Sequence, residues 1–263
     1  MLKPQQRPSE GQGAFKAPWP RWGFWPKFLL VMILIYAVPY GDFLISALIY
    51  HPLIHLLGQR RAYFYNDMAA TFGNAILYIG IAHWSLGLFG FSLTDIGFKK
   101  ISLLKLFLQI AVGAGLAVVD VFVIGFALYH MQKLFFYGHW PVGFSVTWRP
   151  SYFAHPLFWR DNVCWLIMGG FLEELTERGV LYTALRSRFS ALGAILTTAA
   201  YFSISHLIWR SPNPDFMFFF STFISGILLG CLREWSGTLW CPMAAHFLGD
   251  FLLVWTRPRL RWF

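Results

Sequence analysis

The chain has 263 residues, 57% of them apolar and only 13% charged, with a mean hydropathy of +0.53; this balance excludes an ordinary water-soluble domain. Aromatic residues reach 20%, including 13 Trp, and the net charge is +9. Rings at the membrane interface and basic residues spread over short loops next to lipid headgroups account for both, and no basic stripe marks a nucleic-acid groove. The cysteines Cys164, Cys231 and Cys241 are odd in number, lack CxxC spacing and lie in or beside apolar runs, so they read as small buried residues and not as a disulfide framework.

Residues 1–27 are rich in Pro, Gly, Gln and basic residues and cannot bury a core, so a disordered basic tail is expected there. The apolar run that follows is too long for a signal-peptide core and has no small-residue cleavage site, which predicts a retained first span that Pro39 and Gly41 could kink. Against the need for about 20 apolar residues per crossing, further spans are predicted at 69–91, 102–129, 162–185, 191–209, 216–233 and 237–256. That makes seven, or eight if 28–57 is two segments broken at Pro39 or Pro52. Ser92 or Thr94 offers a helix start in the short interfacial connection 92–100.

No run alternates like a barrel strand, and backbone groups in hydrocarbon must be satisfied internally, so the predicted fold is an all-α polytopic transmembrane helix bundle. It divides into N-terminal membrane helices at 28–130, an interfacial aromatic loop at 131–160, a polar-bearing core at 161–256 and a basic C-terminal tail at 257–263. A small excess of Lys and Arg in the loops on one side places the N-terminus in the cytoplasm and the chain in the cell (inner) membrane.

Ionisable side chains inside a bilayer are costly, so clusters of them mark function or a specific polar lock. The segment 165–189, WLIMGGFLEELTERGVLYTALRSRF, holds Glu173, Glu174, Glu177 and Arg178 with apolar residues on both sides. Glu174 and Arg178 are four apart and predicted to pair on one helical face. Glu173, about 100° round, is free for proton transfer, and Glu177 reads as structural. The next segment carries His206 one turn after Phe202, and the last carries His246 and Asp250 four apart on one face. Each histidine alone has a bland reading as a hydrogen-bonded core residue, but convergence of all three segments on one cavity is the economical account.

The EE-x-x-x-R of Glu173, Glu174 and Arg178, the F-x-x-x-H of Phe202 and His206, and the H-x-x-x-D of His246 and Asp250 resemble, in order, the three motifs of the CAAX protease and bacteriocin-processing (CPBP) family of intramembrane proteases, typified by type II CAAX prenyl endopeptidases. The resemblance spans about residues 160–256. It implies a catalytic Glu173 that acts with His206 to activate water for attack on a peptide bond. It further implies oxyanion stabilisation by His246 with Asp250, and support from Glu174 with Arg178. The last motif position is often Asn in the family; Asp250 departs from that, and an ionised Asp accepts hydrogen bonds without donating any.

The expected activity is therefore that of an intramembrane endopeptidase acting on a membrane-associated peptide or protein, prenylated or bacteriocin-like, with the lipid bilayer as its other partner, no nucleic acid and no cofactor. A zinc enzyme with Glu173, His206 and His246 as ligands is the nearest alternative, although the H-E-x-x-H helix is absent. An aspartyl pair of Asp42 and Asp250 lacks a full GxGD pattern. A serine hydrolase lacks G-x-S-x-G, leaving Ser203 and Ser205 as packing residues. From another class, a scaffold, immunity or transport protein would use the same polar cluster structurally.

Overall fold

The computed structural model describes residues 21–137, 166–209 and 216–256. All regular structure among them is helical: α1 (Arg21–Leu57), α2 (Gln59–Phe89), α3 (Leu103–Val118) running through a π-helical segment (Val119–Ile124) into α4 (Gly125–Tyr137), then two π-helical segments (Leu166–Glu173, Leu175–Leu181) leading into α5 (Tyr182–Arg186), followed by α6 (Ala191–Trp209), α7 (Phe216–Ser236) and α8 (Trp240–Thr256). The helical expectation holds for these residues.

Three of these helices are long and apolar enough to cross a membrane, over Met68–Phe89, Leu103–Leu128 and Phe218–Ser236, so a count of seven or eight spans is not reached by this measure. Among the described residues, the segment 166–186 carries Glu173, Glu174, Glu177 and Arg178 within its apolar sequence, and shorter apolar helices run over Gly23–Val38 and Ala47–Leu57. Along α3, Leu103, Leu104, Phe107 and Leu108 point outward with 56–73% of their surface exposed. In water such a face would be an aggregation liability; against lipid it is the ordinary arrangement.

Two boundaries differ from the sequence reading. First, the helix begins at Arg21, inside the stretch read as a disordered tail, because Phe24 and Phe28 are buried at its start. Phe24 packs on Phe89 and lies under the Arg188 guanidinium at 5.2 Å. The backbone stays helical through Pro39 and Pro52, which membrane helices tolerate; at 1.5 Å per residue α1 is roughly 55 Å long. Second, α4 continues to Tyr137, so the first residues of the expected loop 131–160 are helical; the rest of that loop to residue 160, residues 1–20, the C-terminal tail and Cys164 lie outside the described residues.

The α1–α2 hairpin packs on the segment 166–186. Their shared core contains Phe28, Val31, Tyr78, Phe89, Leu172, Leu181 and Leu185, closed by Leu239 and Met243 of α8 and its preceding turn. On the other side of α8, Leu229, Leu232, Cys241 and Ala245 meet Leu116 of α3. At that crossing any side chain on Gly113 would come within 2.5 Å of the Cys241 carbonyl oxygen, so the absent Cβ permits the close approach of α3 and α8.

The connection 90–102 is a capped turn and not a helix start. Gly90 ends α2 in the left-handed conformation (φ 69°), the Asp95 carboxylate accepts from the Ser92 amide at 2.8 Å, and Ser102 caps α3. Arg233 ties this turn to the motif-bearing helix by donating to the carbonyls of Asp95 and Arg178.

Candidate active site

Segment 166–186 is unusual in its ladder. Two π-helical stretches meet at Glu174, and the Thr176 hydroxyl folds back to the carbonyl oxygens of Leu172 and Glu173 at 3.0 and 3.2 Å. π-Helical turns are rare and recur at functional sites. From this helix Glu174, Glu177 and Arg178 point into the protein and are essentially fully buried.

One Arg178 Nη1 donates to Glu174 Oε1 at 2.9 Å and to Glu177 Oε2 at 3.0 Å, while its guanidinium carbon stands 4.6 Å over the Phe202 ring. The predicted Glu174–Arg178 pair is therefore present, and Glu177 belongs to the same ion cluster. Buried charges persist only when paired in this manner.

A second contact crosses from α8. His246 Nδ1 lies 2.9 Å from the same Glu174 Oε1. An ionised carboxylate only accepts, so Nδ1 carries the hydrogen and donates it. The opposite nitrogen, Nε2, is directed at Glu173 Oε2 (3.8 Å) and Asp250 Oδ2 (3.6 Å). Glu174 thus fixes the tautomer and ring plane of His246, while Glu173 keeps 22% of its side chain exposed beside it. Asp250 Oδ2 is buried with no hydrogen-bond partner.

This approach of α8 depends on Gly169 and Gly170. A Cβ at Gly169 would overlap Asp250 Oδ2 and stand 3.2 Å from His246 Nε2; one at Gly170 would lie 2.8 Å from the Phe247 Cβ. Gly169→Ala should therefore displace the His246–Asp250 face and cost about 1–3 kcal/mol of stability, an overpacking effect, measurable as a lower apparent melting temperature of the purified variant.

His206 enters from α6. Its Nδ1 is 2.8 Å from the Phe202 carbonyl oxygen, and Phe202 meets the His246 ring edge-on at 5.7 Å. No hydrogen bond or ion pair joins His206 to Glu173 among the described residues; Phe202 touches both the His206 and His246 rings, and His246 Nε2 faces Glu173. That cavity, of about 580 Å³, is lined by His206, His246 and Asp250, with apolar side chains of α3, α7 and α8 around them.

Of the other candidates, Ser203 and Ser205 bond to the carbonyl oxygens of Phe219 and Phe202 and serve helix packing. The side chain of Asp42 lies outside the described residues. Glu173, His206 and His246 do not form a group that could hold one metal ion, and no three or more His, Cys, Asp or Glu do so among the described residues.

Sequence reasoning missed Asp120, which also lines the cavity and accepts from Ser225 Oγ at 2.6 Å. The signal was available: Asp120 interrupts Leu103–Leu128, whose mean hydropathy of 2.3 is the highest of the three membrane-length helices.

Among curated proteins, the chain is similar to an uncharacterized protein, YpbD, of Bacillus subtilis (strain 168), with 36% identity over 80 residues. The similarity covers 30% of this chain and 36% of that protein, so the match spans about a third of the relative's length. No solved structure matches. Residues 154–252, which contain every residue of the three motifs, match the family model for type II CAAX prenyl endopeptidases, Rce1-like, and by that match this segment is similar to those endopeptidases.

Proposed function

We propose that the protein is an intramembrane endopeptidase that hydrolyses a peptide bond in a membrane-associated peptide or protein. The observation that carries this reading is the convergence of Glu173, Glu174 and Asp250 on one imidazole, His246, at the edge of a cavity shared with His206. Glu173 takes the proton from a water whose oxygen attacks the scissile carbonyl, His206 orients that water, and Glu173 returns the proton to the amine that leaves as the C–N bond breaks. His246, its Nδ1–H donated to Glu174, acts as the imidazolium, so that Nε2 also carries a hydrogen and donates it to the oxygen that becomes negative.

In this role Asp250 must be protonated to donate to that oxygen; ionised, it would instead hold His246 as an acceptor. Arg178 holds Glu174 in place through its Nη1. The protein then lies in the cell membrane as a multi-pass chain with a cytoplasmic N-terminus, its substrate prenylated or bacteriocin-like, and no step is routed through a metal.

The test is cleavage of membrane peptides by purified protein in liposomes, with His206→Ala and exhaustive chelation as arms. His206→Ala should lose about a hundredfold in rate, and chelation should leave the wild-type rate unchanged. Equal rates in wild type and variant would sink the mechanism and favour a non-proteolytic scaffold, immunity or transport protein; activity lost on chelation and restored by zinc would establish the metal alternative.

A further inference from the structure

The cavity is lined by two acidic side chains. Asp250 comes from α8, and its Oδ2 has no hydrogen-bond partner. Asp120 comes from the π-helical segment between α3 and α4, and its carboxylate is held by the Ser225 hydroxyl of α7 at 2.6 Å. A serine satisfies one lone pair and supplies no charge. No Lys or Arg lines the cavity among the described residues.

His246 Nε2 faces Asp250 Oδ2 at 3.6 Å, whereas the side-chain hydrogen bond to Asp120 comes from the neutral hydroxyl of Ser225. The cavity that Asp120 lines is otherwise mainly apolar, with Leu116, Val121, Leu228 and Leu229, and Ser221 and Thr222 of α7 add hydroxyls. A carboxylate in a cavity lined mainly by apolar side chains matches a side chain with an aliphatic stem and a cationic head. A bare metal ion would need several further ligands, which the described residues do not group.

We propose that Asp120, fixed by Ser225, is a specificity-determining residue that seats the cationic side chain of a lysine or arginine of the substrate in this cavity. The inference rests on the hydrolase reading above and adds a substrate class to it. Asp120 lies outside the three motif segments, and its hydrogen-bond partner sits on α7, which also carries none of them, so its role is separable from the chemistry at His246.

The experiment uses full-length protein in liposomes and two series of apolar dodecapeptides. They are identical except that a single lysine, in one series, or its neutral isostere norleucine, in the other, is walked through each position. Wild type should cleave the lysine peptide of the best register at least about tenfold more efficiently in kcat/KM than its norleucine twin, and Asp120→Asn should abolish that ratio. A wild type with no lysine preference overturns the inference, as does a preference that persists in Asp120→Asn. If neither series is cut, the hydrolase reading is what fails. Fluorescence anisotropy with the same peptides then decides the inference alone: a tighter lysine Kd that disappears in Asp120→Asn upholds it, and equal Kd values overturn it.

Discussion

Glu173→Gln should lower peptide-bond hydrolysis about a thousandfold, the range expected for losing a positioned general base, while changing stability by less than about 1 kcal/mol. The contrast arises from where the residue sits. Glu174 and Glu177 are sealed in an ion cluster with Arg178, but the Glu173 carboxylate is partly exposed and approaches His246 Nε2 at 3.8 Å without a hydrogen bond. Glutamine keeps the shape and loses the ability to accept a proton. Cleavage rate and apparent melting temperature, measured on the same purified protein, check both halves; a variant that cleaves at the wild-type rate removes Glu173 from the mechanism.

What could be read from sequence divides by range. Glu174–Arg178 and His246–Asp250 were legible because a spacing of four maps directly onto one helical face, and both pairs meet at 2.9 and 3.6 Å. The Glu174–His246 contact was not: 72 residues separate the partners, and no local pattern states which helix α8 will meet. The same holds for Asp120 with Ser225, 105 residues apart.

Gly169 and Gly170 read as generic small residues until their neighbours on α8 are known. The π-helical ladder under the first motif has no compositional signature, since the switch from i→i+4 to i→i+5 bonding is decided by the packing that holds Glu174 and Arg178 inward. The helix start at Arg21 was hidden for a similar reason. Pro and Gly upstream suggest a tail, and only the distant partners Phe89 and Arg188 give Phe24 a reason to be ordered.

Arg178→Ala should be the most destabilising single change in the described region, by about 3–5 kcal/mol, because it leaves uncompensated buried carboxylates. Arg178 is fully buried, and its Nη1 bridges Glu174 and Glu177 while its guanidinium covers Phe202. Removing it places two unshielded acids side by side and also frees Glu174 from the orientation in which it holds His246. Activity should therefore fall with stability. The triple variant Arg178→Met, Glu174→Gln, Glu177→Gln separates the effects: with no charge left to bury it should recover much of the lost melting temperature. It should remain poorly active, because a glutamine at 174 holds the Nδ1 hydrogen of His246 less firmly than a carboxylate does. Recovery of both properties together would mean that the ion cluster is only a helix lock and has no part in positioning His246.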